Sequence, residues 1–193
     1  MKRAILAVGT ACLLWTALAS GARAAGDCPG ASSLAEMTSD NATFQAAQPF
    51  DLSRITSAGA LLKKNGTQLG VYLSNGEFNV EQMASSFVVP IKETGVFIAA
   101  INFSNGSDPI APGIYSPASG YGKPLWVTAE VKVAREEKGA IVSLGVREGT
   151  AEIVRMTENS VCGRFDLRLV KKDGQVSGAI SGEFNVPLET SRW

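Results

Sequence analysis

The chain carries no histidine at any of its 193 positions. Ser-His-Asp and Cys-His nucleophile pairs are therefore excluded, together with the usual zinc sites. The G-x-S-x-G, G-x-x-x-x-G-K-[ST] and G-x-G-x-x-G patterns do not occur. An enzyme built on this chain would have to work with carboxylates, lysine or tyrosine. The obvious acidic pair, Glu136-Glu137, is flanked by Arg135 and Lys138 and reads as a solvated turn. General acid chemistry needs a carboxyl in an apolar setting that raises its pKa, and nothing in the pattern supplies one. No catalytic residue is assigned, and the chain reads as non-enzymatic. A carboxylate-based hydrolase is the remaining catalytic alternative.

Asn102, Asn105 and Asp108 bring oxygen atoms across a Gly-containing turn. Calcium wants six to eight oxygens and usually more than one carboxylate. One aspartate among amides fits a polar turn better. No metal and no cofactor is expected. Cys28 and Cys162 remain once Cys12 is set aside with the leader described below. Two cysteines in an oxidising compartment most simply pair, which predicts a disulfide between the N-terminal segment and a late strand.

The stretch 105–124 is unusual for its length and its residues. It contains Pro109, Pro112, Pro117 and Pro124, four glycines, and Tyr115 and Tyr121, with Trp126 just beyond. Long connections are uncommon and are often functional. Tyrosine and tryptophan offer rigid area with a polar tip, suited to a sugar, a peptide or a flat ligand. Tyr121, Tyr115, Trp126 and Asp108 are the candidate ligand-binding residues. Tyr121 leads, because no periodic pattern claims it. The competing reading makes Gly113-Ile114-Tyr115 a short edge strand whose tyrosine anchors the loop, with Trp126 covering the end of the fold.

The elements that must hold this loop are strands. Leu69, Val71 and Leu73 alternate into the turn dipeptide Asn75-Gly76. Residues 85–91 give another short strand. Gly95 to Phe103 is apolar on both parities and so belongs in the middle of a sheet. Leu125, Val127, Ala129, Val131 and Val133 share one face, with Thr128, Glu130 and Lys132 opposite. Ala140, Val142, Leu144 and Val146 form the next inward set. Phe165, Leu167 and Leu169 face a return strand carrying Val176, Ile180, Phe184 and Val186, across a turn at 171–174. Cys162 has the wet parity of its strand. The pentapeptide Gly-Glu-Phe-Asn-Val occurs at both 76–80 and 182–186, a weak sign of repetition. The expected fold is all-β, an antiparallel β-sandwich or closed barrel of about 8–9 strands.

Before these strands, Met1-Lys2-Arg3 opens an uncharged run that ends at an A-x-A site, Ala22-Arg23-Ala24, which is the pattern of a secretory signal peptide. The expected organisation is a signal peptide at 1–24, an irregular lead-in at 25–53 and a single β domain at 54–193. Export to the periplasm or medium follows. The chain balances 18 basic against 18 acidic residues, and Lys2, Arg3 and Arg23 would leave with the leader. A mildly acidic remainder is a poor nucleic-acid binder, because Lys and Arg supply most of that affinity. After cleavage no membrane-spanning segment is expected. With aromatics at 7%, the girdles of an outer-membrane barrel are also not expected. The expected function is a binding or interaction module for an unidentified protein or glycan. The alternative is a lipocalin-like small barrel holding a small apolar ligand.

Overall fold

The computed structural model describes residues 26–80, 91, 93–121, 123–135, 138–170 and 174–191. The expected signal peptide at 1–24, almost all of the expected strand at 85–91, Glu136-Glu137 and the turn residues 171–173 lie outside them.

The chain folds as β1 (Ser33–Ser39), α1 (Ala42–Ala46), β2 (Ser57–Leu62), β3 (Gln68–Ser74), β4 (Phe97–Ser104), β5 (Gly113–Tyr115), β6 (Trp126–Arg135), β7 (Lys138–Ser143), β8 (Glu148–Met156), β9 (Ser160–Val170) and β10 (Val176–Thr190). Nine strands follow one another in the order β5-β8-β9-β10-β2-β3-β4-β6-β7, and β1 adds to β10 beside that path. The all-β expectation holds. The sheet curls into a half-barrel, so two separate sandwich layers are not what the strands form. Nor is it purely antiparallel: Leu188–Thr190 of β10 runs parallel to Ala60–Leu62 of β2. The reason is the length of β10. Its first part is flanked by β9 and β1, and its last residues pass beyond β1 and meet β2 instead.

The alternating residues form the inner face as expected. Leu69, Val71 and Leu73 are buried with Phe97, Ala99, Ile101 and Phe103, and with Val127, Ala129, Val131 and Val133. Rings link across this interior. Phe165 stacks on Phe184 (6.4 Å between centroids), Phe184 approaches Phe103 (6.1 Å), and Phe103 meets Tyr115 edge-on (5.1 Å). Gly163 makes room for Phe184. A Cβ there would fall 2.6 Å from its ring.

Three local expectations are corrected. The lead-in at 25–53 is not irregular, because it contains β1 and α1. β1 escapes a period-2 reading because its register shifts between Leu34 and Glu36, which puts Leu34 and Met37 on one buried face. Within the lead-in, Asn41 is the cap that starts α1. Its side chain accepts from the amides of Thr43 (2.9 Å) and Phe44 (3.3 Å). Leu125 does not share the inward face of β6. Its φ of 54° lies in the left-handed region and leaves it 43% exposed, so the strand begins at Trp126. Likewise Val176 is exposed and Ser177 buried, because a register shift between Val176 and Gly178 inverts the parity at the start of β10.

The outer face carries a second, small apolar cluster. Ile91 and Ile98 pack there with Tyr72, Phe78, Val96 and Ala134. This is why β4 is apolar on both faces. The Gly-Glu-Phe-Asn-Val echo is not a structural repeat: 182–186 is mid-strand with Phe184 in the core, while 76–80 follows β3 with Phe78 on this outer cluster.

Candidate functional site

Just past β5 the chain meets the start of β6. A parallel bridge joins Ser116 to Trp126, and the Ser116 amide donates to the Leu125 carbonyl at 2.8 Å. The loop between them is short of slack. Ser116 caps a 3-10 turn at Pro117–Ser119 by accepting from the Ala118 amide (3.3 Å), and Pro117 is buried. The Gly120 amide then donates to Pro117 (3.2 Å), and Lys123 to Gly120 (3.2 Å). Gly120 has φ 83°, a conformation costly for other residues.

Asn105 is the keystone beneath this corner. Its side-chain oxygen accepts from the Leu125 amide (3.3 Å), and its side-chain amide donates to the Pro109 carbonyl (2.7 Å). Its backbone amide donates to Thr67 (3.1 Å), and the Ile110 amide donates to Gly66 (2.7 Å). The Lys63–Thr67 turn and the 105–125 connection are thus stapled into one surface.

On that scaffold Tyr121 stands 84% exposed. Its ring meets Trp126 at 5.3 Å and 87°, an edge-on pair. Such contacts add roughly 0.5–1.5 kcal/mol beyond area burial. The half-buried Trp126 keeps one side fixed, and Leu125 and Ile114 (60% exposed) add apolar surface on the same seam. The arrangement offers ring faces and aliphatic area on a braced frame.

Tyr115 and Tyr121 are not brought together. Tyr115 is fully buried, donates its hydroxyl to the Ala111 carbonyl at 2.9 Å, and packs on Phe103. Burial raises its pKa above the usual 10.0, and the Ala111 bond opposes that rise. It is the anchor of the loop, as the edge-strand reading of Gly113-Ile114-Tyr115 has it. Asp108 is exposed on the limb before Ile110, where its backbone amide donates to Asn105 (3.0 Å). Asn102 lies within β4, paired with Gly70 and Thr128, so only Asn105 and Asp108 belong to the turn, and the Asn105 side-chain oxygen there is engaged by Leu125. Among the described residues no three His, Cys, Asp or Glu residues gather to hold a metal ion.

Cys28 and Cys162 stand at disulfide distance, their Cα atoms 5.6 Å apart. The segment around Cys28 continues the line of β1. Ser32 exchanges hydrogen bonds with the Asn185 backbone (3.0 and 3.3 Å), and the Asn185 side chain donates to Pro29 (2.9 Å). This cover buries Cys162 despite its outward parity.

Sequence reading passed over a second group. On the outer face Tyr72, Ala100 and Glu130 lie in one register row, with Lys132 two residues further along β6. Lys132 is only 7% exposed, and burial lowers its pKa while Glu130 opposes the drop. Burial raises the Tyr72 pKa, and Glu130 adds to the rise. The Tyr72 hydroxyl lies over Gly70, where a Cβ would sit 2.5 Å from it. The signal available was the alternation itself: Tyr72 and Lys132 sit at outward parities, and only the cover from residues such as Phe78 makes those parities part of a buried face.

No family model, curated protein or solved structure matches the chain. Among the described residues no helix is long and apolar enough to cross a membrane.

Proposed function

We propose that the chain is an exported, non-catalytic β module that binds a partner through the corner formed by Tyr121 and Trp126, flanked by Leu125 and Ile114. The observation that carries this reading is Tyr121: a large ring, 84% exposed, held beside Trp126, on a loop in which the amides of Ser119, Gly120 and Lys123 are hydrogen-bonded. Side chains already held in their binding geometry lose little entropy when a ligand arrives. The leader-like start and the Cys28–Cys162 pair support export. The carrier alternative draws less support, because Tyr115, Phe103, Phe184 and Phe165 occupy the interior that an apolar ligand would need.

The test is binding to glycan and peptide arrays by the parent chain and by Tyr121→Ala, with the melting temperature of each. Loss of binding at an unchanged melting temperature is expected. Binding that survives Tyr121→Ala, or a variant that melts markedly lower, rejects the reading.

A further inference from the structure

We infer that the ligand of this corner is an anionic polysaccharide, its rings seated on Tyr121 and Trp126 and its acidic groups met by Lys63, Lys64 and Lys123. The inference rests on the binding reading above and adds the ligand's class.

Three observations support it. First, the backbone around the corner is already bonded. The Leu125 amide and carbonyl, the Ser116 amide, and the amides of Ser119, Gly120 and Lys123 all have partners within the loop or on Asn105. A peptide that docks by adding a strand needs free main-chain groups on an edge. From Ser116 to Leu125 this corner presents side chains instead, and β5, the adjoining end strand, is only three residues long, which suits a ligand that stacks.

Second, the charge is one-sided. The two stapled segments, 63–67 and 105–125, hold Lys63, Lys64 and Lys123 against a single carboxylate, Asp108. On the neighbouring strands, Glu152 is the register partner of Ile114 but is paired with Arg164 at 2.7 Å, and Glu189 is the partner of Leu61. In a chain whose charges balance overall, this end is locally positive.

Third, the lysines and the rings are close enough to serve one chain. Gln68, Ser104 and Trp126 are register partners on three adjacent strands. Neighbouring strands lie about 4.8 Å apart, which puts the start of β3 about 10 Å from Trp126. The Lys63–Thr67 turn adjoins that start through the Lys63 amide bonded to Gln68 at 2.9 Å. A single sugar is too small to touch both the rings and that turn, whereas a polymer touches both.

The experiment is titration of the purified protein with polygalacturonate, dextran and poly-glutamate, at low and at raised salt. Binding to polygalacturonate is expected, weaker at raised salt because exposed charges are screened. Tyr121→Ala should weaken it about tenfold or more. Tyr121→Phe, which keeps the ring, should retain it. Lys63→Gln/Lys64→Gln/Lys123→Gln should lower affinity and remove most of the salt dependence. Equal binding of dextran, unaffected by the lysine changes, overturns the anionic assignment and leaves the aromatic corner standing as a binding site. Poly-glutamate bound as well as polygalacturonate, with Tyr121→Ala silent, overturns both the glycan assignment and the corner. Absence of polygalacturonate binding overturns the inference outright.

Discussion

Tyr115 and Tyr121 belong to the same connection, yet one side chain points into the half-barrel and the other into solvent. Tyr115 lies on β5, where pairing with Ala151 of β8 aims alternate residues inward. Its hydroxyl finds the Ala111 carbonyl, so the polar tip is satisfied without water. Tyr121 follows the 3-10 turn and Gly120, outside any ladder, so nothing directs it to the core. A ring in register stabilises the fold. A ring released from register, but braced by Trp126, is available to a partner. Tyr72 is the third of the chain's three tyrosines and the intermediate case: it faces outward from the sheet and is half-covered by Phe78, whose ring centroid is 6.3 Å away.

This contrast makes graded predictions. Tyr115→Ala should cost about 3–5 kcal/mol, as for other fully buried aromatics, and Tyr115→Phe only about 1 kcal/mol for the lost hydrogen bond. Urea unfolding of both variants checks this, and a Tyr115→Ala protein of near-parent stability would break the comparison. Asn105→Ala should cost about 1–3 kcal/mol, because the Leu125 amide and the Pro109 carbonyl lose their partner. Its distinctive sign is an increase in hydrogen exchange at the amide of Leu125 while the amides of β9 stay protected.

Tyr72 should reveal itself through pH. Its folded pKa lies above the usual 10.0, so above that pH the unfolded state gives up its proton first. Stability relative to Tyr72→Phe is then constant below pH 10.0 and falls as pH rises through the folded pKa. Unfolding free energies at about pH 8 and about pH 11 measure the difference, and a gap that stays constant would place Tyr72 in solvent. The smallest effect on stability belongs to Tyr121→Ala, within about 0.5 kcal/mol of the parent by the same unfolding assay. The change there is expected in binding alone.

The hairpin of β9 and β10 was legible because its alternation is local: Phe165, Leu167, Ile180, Phe184 and Val186 repeat at period two, and all are buried. β1 was not legible, because its register shift breaks the period and its partner, β10, lies at the other end of the chain. At the site, Tyr121 stood out in the sequence as unclaimed by any pattern. Its pairing with Trp126 did not, nor did the part played by Leu125, since that residue's outward turn depends on a left-handed φ amid an apparently regular alternation. Asn105 read as an ordinary turn residue. Its role in joining the 63–67 turn to the corner exists only when both segments are in place.

By itself, the order of residues determined the all-β class, most of the inward faces, the pairing of Cys28 with Cys162 and the exclusion of histidine chemistry. These follow from residue type and from a two-residue repeat that each strand carries within itself. The tertiary structure decided the rest: the curl of one mixed sheet, the parallel contact of β10 with β2, the burial of Lys132, and which tyrosine faces solvent. Each of these depends on which distant segments come to lie side by side, and a local repeat contains no information about that.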